Sequence, residues 1–240
     1  MNSIMITGAS SGIGAACAQA FLDAGWRVGL LARRAEPLED LAQGRGDAAV
    51  ILPADVTDEA QVEAAFERFI QKAGRLDVLF NNAGMFGPMA PIDEISLAEW
   101  QSVVDLNLTG MFLAARAAVR QMRAQNPQGG RIINNGSVSA HSPRAGSTCY
   151  TTTKHGVSGL TKTLSLDGRA YNIACGQIDI GNARTALLEE IIAQNPKDAP
   201  PVMDVADVAK SVLAMAQLPL EANVQSMMLM ATKMPHIGRG

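Results

Sequence analysis

Short apolar runs alternate with longer amphipathic stretches along the whole chain. Runs rich in Val, Ile and Leu are typical of strands buried on both faces of a parallel sheet. They predict strands at 4–7, 27–32, 48–53, 76–80, 131–135, 172–177 and 224–230. Apolar side chains at helical spacing predict helices at 15–24, 37–43, 58–73, 96–124, 150–170 and 204–217. The segment 179–203 combines helix potential with three prolines.

This alternation, without a linker or repeat, predicts a single α/β domain that spans residues 1–240. Right-handed crossovers would place helices on both faces of a doubly wound parallel sheet of about seven strands. A glycine-rich turn follows the first strand, so the two halves of the sheet should diverge there. The predicted strand order is therefore 3-2-1-4-5-6-7, with segment 179–203 as a lid over the substrate.

Composition changes this picture mainly by exclusion. The 240 residues are 48% hydrophobic and 18% charged, with a formal net charge of −3, so nothing favours nucleic acid or an anionic membrane as a partner. The three cysteines form no CxxC pair and the three histidines no cluster, which argues against disulfides and a metal site. Without a basic leader or an uncharged apolar run near membrane-spanning length, a soluble cytoplasmic protein is expected.

The turn after the first strand has the chemistry of a phosphate site. It reads Gly8-Ala9-Ser10-Ser11-Gly12-Ile13-Gly14 and leads directly into a helix. Glycines let the backbone approach a pyrophosphate, and the free N–H groups at the helix start attract the anion. The spacing GxxxGxG differs from the GxGxxG of the standard dinucleotide turn, and alone it is as often a tight connection.

The end of the second strand bears on which dinucleotide would bind. Ala32, Arg33 and Arg34 stand where such proteins place an acidic residue for the adenosine ribose. Because arginine accommodates a 2′-phosphate instead, the sequence favours NADP(H) over NAD(H). Two solvated surface arginines are the alternative interpretation.

Tyr150 and Lys154 form the strongest candidate for catalysis. Residues four apart lie on the same helix face, so the phenol and the ammonium can point into one cavity. A free phenol has a pKa of about 10, and a fixed cation nearby favours the phenolate. The pair could therefore donate or accept a proton, although a chance Lys at this spacing has odds of roughly 1 in 20.

Taken together and in order, these motifs resemble those of the short-chain dehydrogenases/reductases over nearly the whole chain. The matching residues are Thr7-Gly8-Ala9-Ser10-Ser11-Gly12-Ile13-Gly14, Asp55, Asn81-Asn82-Ala83-Gly84, Asn107, Ser137, Tyr150 and Lys154. The resemblance implies a Rossmann-like fold and a metal-free oxidoreductase that interconverts a ketone or aldehyde with its alcohol. It also implies a homodimer or homotetramer.

The resemblance assigns catalytic roles to four residues. Tyr150 would be the general acid or base, and Ser137 would hydrogen-bond the substrate oxygen. Lys154 would stabilise the phenolate and bind the nicotinamide ribose, and Asn107 would hold a water molecule that links Lys154 to solvent.

By the same resemblance, further residues would bind the cofactor. The residues for the pyrophosphate would be Gly8, Ser10, Ser11, Gly12, Ile13 and Gly14, and those for a 2′-phosphate would be Arg33 and Arg34. The adenine would contact Asp55 and Val56, and the adenosine or nicotinamide side would contact Asn82, Ala83 and Gly84. The carboxamide would contact Ile180 and Thr185. Two departures from the family pattern stand out. Ser11 replaces a basic residue before the second motif glycine, and the Pro-Gly expected after strand six is missing.

The substrate and two rival functions stay open at this point. His141 and Arg144 lie between Ser137 and Tyr150 and suit a polar or anionic substrate. Apolar residues in other pocket segments suit an apolar one, namely Met85, Phe86, Met89, Leu187 and Leu188. The rival functions are a dinucleotide sensor without turnover, and a dehydratase or epimerase that uses the same tyrosine.

Overall fold

A seven-stranded parallel sheet forms the centre of the computed structural model, which describes residues 1–194 and 199–236, without the side chains of Leu187, Glu190, Ile191 and Gln194. The strand order is β3-β2-β1-β4-β5-β6-β7, which confirms the predicted topology. The strands are β1 (Ser3–Thr7), β2 (Arg27–Ala32), β3 (Ala49–Pro53), β4 (Val78–Asn81), β5 (Gly130–Asn135), β6 (Ile173–Ile180) and β7 (Ser226–Leu229).

Helices cover both faces of the sheet, as the apolar stripes predict. They are α1 (Gly12–Asp23), α2 (Glu36–Ala42), α3 (Glu59–Ala73), α4 (Leu97–Val104), α5 (Gly110–Ala124), α6 (Thr148–Gly168), α7 (Ala186–Gln194) and α8 (Val205–Gln217). On one face α1 and α8 pack through residues such as Phe21 and Val212. On the other, α3 and α5 contribute Phe69 and Met122 to a second apolar core. Burial on both faces explains the continuous apolar strand runs.

The long helix predicted at 96–124 forms, with a local change of winding in its middle. Ser96 and Glu99 make both hydrogen bonds of a capping box at its start. Asp105–Thr109 is a π-helical turn between α4 and α5, and it contains Asn107. A Cβ at Gly110 would lie 2.9 Å from Val56 Cγ2, so the glycine permits close packing where the helix meets the end of β3.

The segment Leu97–Ala124 is the one described helix that is long and apolar enough to cross a membrane, by length and composition alone. Half of its most apolar window is buried inside the molecule. The buried side chains include Val103, Met111 and Met122, which face the rest of the fold. This is the burial pattern of a core helix that packs on a sheet.

Strand β6 is longer than predicted, and this corrects the start of the lid segment. The strand was predicted to end at 177, but its pairing with β7 continues through Asp179 and Ile180. Polar side chains at 177 and 179 obscured the strand in the sequence, and both are buried and hydrogen-bonded. The segment that leaves the sheet therefore begins at Gly181, and its residues 195–198 lie outside the described part of the chain.

Candidate active site

An open cleft of about 960 Å³ runs along the carboxyl ends of the strands. This is where parallel α/β sheets place their ligands. Its walls contain all the predicted site residues except Gly14 and Asn107, namely Gly8, Ser10, Ser11, Gly12, Ile13, Arg33, Arg34, Asp55, Val56, Asn82, Ala83, Gly84, Ser137, Tyr150, Lys154, Ile180 and Thr185. One cavity thus joins the glycine turn to the Tyr150 pair.

The glycine turn has the backbone geometry of an anion cradle. Gly8 and Gly12 have φ values of 68° and 54°, which favour glycine. A Cβ at Gly14 would overlap the Gly8 carbonyl oxygen, so this glycine shapes the turn from behind the cleft wall. Ser11 caps α1 without a side-chain hydrogen bond, and no acidic residue lies in the first helical turn. The helix start can therefore present its N–H groups to a pyrophosphate.

Asn82 holds the ends of three strands together. Its Nδ2 donates to the Thr7 carbonyl at 2.9 Å, and its Oδ1 accepts from Asn135 Nδ2 at 2.8 Å. The Asn135 carbonyl in turn accepts a 2.7 Å hydrogen bond from Lys154 Nζ. Through these bonds the Asn82 side chain connects Thr7, at the end of β1, with Asn135, whose carbonyl binds Lys154.

Three charged residues line the cleft just after the ends of β2 and β3. Arg33 and Arg34 are exposed, and neither is ion-paired with any of the described side chains. Asp55 accepts two hydrogen bonds from Thr57, through its backbone N–H at 2.9 Å and its hydroxyl at 2.8 Å. The turn that carries Asp55 is thereby fixed, while the two guanidinium groups keep their hydrogen-bonding capacity.

Helix α6 brings the Tyr150 and Lys154 side chains to the same part of the cleft. Lys154 Nζ lies 5.5 Å from the centroid of the Tyr150 ring. Burial lowers the pKa of Lys154 to about 8, although the charge of Asp179 opposes the shift. Burial also raises the pKa of the Tyr150 phenol, against its hydrogen bond with Ser137 and the charge of Arg144. A protonated phenol beside a cation of lowered pKa suits proton donation near neutral pH.

The Asn107 side chain fastens neighbouring segments and does not line the cleft. Its Oδ1 accepts from the Met85 backbone N–H, and its Nδ2 donates to the Met85 carbonyl, both at 2.8 Å. Nδ2 also lies 3.2 Å from the Thr153 hydroxyl, one residue before Lys154. The buried amide therefore joins the chain after β4 to the face of α6 that bears Tyr150 and Thr153, and its water-binding role stays a prediction.

Asp179 is hydrogen-bonded to the site residue Ser137, although no motif in the sequence predicts a role for this carboxylate. Its fully buried carboxylate accepts from the Ser137 backbone N–H through Oδ1 at 2.9 Å, and Oδ2 lies 2.8 Å from His141 Nε2. Gln177 Nε2 donates to Oδ1 as well, at 2.6 Å. A Cβ at Gly136 would overlap Oδ1. The signal in the sequence was an acidic residue in an apolar strand run.

The residues predicted to contact substrate divide into two groups. Arg144, Met85, Phe86, Met89 and Leu188 line the cleft. The side chain of Leu187, which was predicted there too, lies outside the described part of the structure. His141 is absent from the lining and is instead paired with Asp179. The Phe86 ring lies 4.9 Å from the Tyr150 ring, centroid to centroid, so an apolar surface lies directly beside the phenol.

The two residues predicted at the carboxamide lie on the chain that leaves β6. Ile180 is the last residue of β6, and the Gly181 N–H donates to the Leu229 carbonyl at 2.8 Å. Thr185 lies against the glycine turn, because a Cβ at Gly12 would be 3.2 Å from Thr185 Cγ2. The altered sequence after strand six still closes this side of the cleft.

Comparisons with known proteins agree with one another. The family model described as short chain dehydrogenase matches residues 2–196. Cis-4-hydroxycyclohexanecarboxylate dehydrogenase from Sinomonas cyclohexanicum is 36% identical over 187 residues, which cover 77% of this chain and 74% of that protein. A serine dehydrogenase in a closed form with NADP+ has a TM-score of 0.90 and 26% identity, with 99% and 98% of the two chains covered. A 3-ketoacyl-(acyl-carrier-protein) reductase from Brucella melitensis complexed with NADH has a TM-score of 0.87 and 27% identity, with 95% and 96% covered.

Proposed function

Because the chain belongs to the short-chain dehydrogenase/reductase family of oxidoreductases, we propose that it interconverts a ketone or aldehyde with its alcohol, using NADP(H). The observation that carries this proposal is the cleft, whose one continuous lining contains Tyr150, Ser137 and Lys154 together with the glycine turn and Arg33. A purely dinucleotide-sensing protein would have no evident need for Tyr150, Lys154, Ser137 and Asn107 together.

The residues of the cleft divide the reaction between them. When bound, the dinucleotide supplies a hydride to the carbonyl carbon or accepts one from the alcohol carbon. Tyr150 gives its proton to the carbonyl oxygen during reduction and removes the alcohol proton during oxidation. Ser137 donates a hydrogen bond to the same oxygen as negative charge develops there. Lys154 stabilises the phenolate that Tyr150 becomes, because its ammonium is held beside the ring.

The charge of Lys154 predicts a particular pH dependence. With a pKa of about 8, this side chain is cationic below that pH and loses its proton as the pH rises through it. Loss of the cation makes the phenolate harder to form, so kcat/KM for reduction should fall above about pH 8. A pH–rate profile at saturating NADPH measures this, and a rate that keeps rising into the alkaline range would contradict it.

Arg33 provides the test of cofactor choice. A charge-assisted hydrogen bond to the 2′-phosphate is worth about 1.5–3 kcal/mol. Arg33→Ala should therefore raise the Kd for NADPH by about 10- to 100-fold and leave the Kd for NADH within about twofold. Calorimetric or fluorescence titration measures both constants, and Arg68→Ala, an exposed arginine on α3, is the matched control. Equal effects on the two dinucleotides would refute the 2′-phosphate contact.

The names of the similar proteins leave the substrate open, since they range from a hydroxycyclohexanecarboxylate to serine and a ketoacyl group on a carrier protein. A lid is part of the proposal, formed by the described residues 181–194 and 199–203 after β6, because Leu188 and Pro200 line the cleft. The homodimer or homotetramer and the cytoplasmic location expected from the sequence stay predictions.

A further inference from the structure

We infer that Arg144 is a substrate-binding residue, and that the carbonyl or alcohol substrate of this enzyme carries an oxoanion group, such as a carboxylate or sulfonate, which the Arg144 guanidinium binds. The inference rests on the proposed function and adds a substrate class to it. Arg144 lines the same cleft as Tyr150 and Ser137, and its side chain is exposed to that cleft rather than buried in the protein.

The position of Arg144 is fixed from both ends of the residue. The Arg144 carbonyl accepts a 2.7 Å hydrogen bond from the Ser147 hydroxyl, at the start of α6 and three residues before Tyr150. Its Nη2 donates to Asn182 Oδ1 at 3.0 Å. Asn182 is itself held by the next segment, since its Nδ2 donates to the Pro201 carbonyl at 3.2 Å and its carbonyl accepts from the Met203 N–H at 2.9 Å. A guanidinium positioned in this way has little conformational freedom left to lose on binding.

The tether leaves the charge of Arg144 intact. Asn182 is a neutral acceptor that takes one of five N–H donors, and no carboxylate among the described side chains, which do not include Glu190, forms an ion pair with Arg144. The nearest anion of the site, Asp179, is already bonded to His141 and the Ser137 N–H. The guanidinium can therefore offer a forked pair of donors to an oxoanion, which is the geometry that Arg binds best.

The other described cations of the cleft cannot serve the same purpose. Lys154 is buried and donates to the Asn135 carbonyl. Arg33 and Arg34 lie beside Asp55, at the end of β2 and β3, where the proposal places the adenosine. Arg144 is thus the lining cation left for a substrate.

The surroundings of Arg144 indicate a small substrate with an apolar body. Arg144 lines the cleft together with Tyr150, and its carbonyl is bonded to Ser147 at the start of the helix that carries Tyr150. Phe86 and Met89, which are 38% and 63% exposed, provide apolar surface in the same part of the cleft. A short carbon skeleton would then connect a carbonyl at Tyr150 with an oxoanion at Arg144.

The test compares pairs of related carbonyl compounds in which one member carries an oxoanion and the other is neutral. Levulinate and 4-oxocyclohexanecarboxylate are each assayed against their methyl esters, and 2-oxopropanesulfonate against butanone, with NADPH. The parent enzyme should prefer the anionic member of a pair. Arg144→Gln should lower kcat/KM for that member by about 30- to 100-fold and change the neutral member by about twofold at most. Arg144→Lys should recover part of the loss, and Arg68→Gln should change neither.

Two further measurements distinguish a failure of the inference from a failure of the proposed function. The Kd for NADPH should be the same in Arg144→Gln and the parent, because Arg144 contacts substrate and not the dinucleotide. Binding of cyclohexanecarboxylate, which carries the anion but no alcohol or carbonyl group that could react, to the protein saturated with NADP+ is measured by calorimetry and requires no turnover. Arg144-dependent binding without any carbonyl turnover would support the anion site and overturn the proposed reaction. Turnover that favours neutral carbonyls, or equal losses for both members of a pair, would overturn the anion site and leave the reaction standing.

Discussion

Tyr150→Phe is expected to lower kcat for carbonyl reduction by about 10³- to 10⁴-fold. The substitution removes one oxygen atom and with it the proton that the carbonyl oxygen must receive, and a positioned general acid contributes up to about 10⁴-fold. The ring itself would remain, so its 4.9 Å contact with Phe86 is preserved. We therefore expect the fold and the Kd for NADPH to change little, with the loss confined to the chemical step.

The chain offers one matched control for this experiment. Tyr171, the other tyrosine, accepts a hydrogen bond from Arg123 Nη2 at 3.0 Å and lies outside the cleft. Tyr171→Phe should retain parental kcat, which shows that loss of a phenol elsewhere has no comparable effect. If Tyr150→Phe kept even a tenth of the parental kcat, another group would have to supply the proton.

The second large effect is expected at Asp179. Asp179→Ala leaves the Ser137 N–H and the Gln177 amide without their buried acceptor, at a cost of about 3 kcal/mol in unfolding free energy. Ser137 would lose the bond that fixes its backbone, and a shift of about 1 Å at a reacting group can cost about 10²-fold in rate. We expect a fall in kcat of that size, with a smaller change in the Kd for NADPH.

Asp179→Asn separates the geometry of this side chain from its charge. The amide keeps an oxygen for the Ser137 N–H, so the fold and most of kcat should survive. The charge of Asp179 raises the pKa of Lys154 against the effect of burial, and its removal should lower that pKa further. The alkaline fall in the reduction rate should therefore move to lower pH, a shift that a purely structural role would not produce. An unchanged pH profile in Asp179→Asn together with parental kcat in Asp179→Ala would show that Asp179 has no role in the reaction.

The order of strands in the sheet could be predicted from the sequence because the signals for each strand are local. Runs such as Ile4 to Thr7 and Arg27 to Ala32 are apolar on both faces, and this pattern has few structural solutions other than a covered parallel strand. The glycine turn, Ser137 and Tyr150 each follow or precede a recognisable element. Topology alone then brought the carboxyl ends of the strands, and with them these residues, into one cleft.

The remaining features depend on contacts between distant segments. In the sequence, Asp179 has the features of a residue that ends a strand. The structure shows that its carboxylate binds His141 and the Ser137 N–H. The bonds of the Asn82 amide to Thr7 and Asn135 likewise become visible only in the fold. The partners are 38 to 75 residues away in sequence, and no periodicity or spacing rule encodes such pairings. Buried polar networks are therefore the part of this site that sequence patterns miss.

The most direct test of the central claim is the stoichiometry of NADPH oxidation with a carbonyl panel that contains ketones, aldehydes and oxo acids. The proposed function predicts that each NADPH oxidised yields one alcohol, that NADPH is preferred to NADH, and that Tyr150→Phe abolishes both product and oxidation. Substrate consumed without net oxidation of NADPH would indicate a dehydratase or epimerase. Tight NADPH binding with no turnover of any carbonyl would contradict the enzymatic function and favour a dinucleotide sensor.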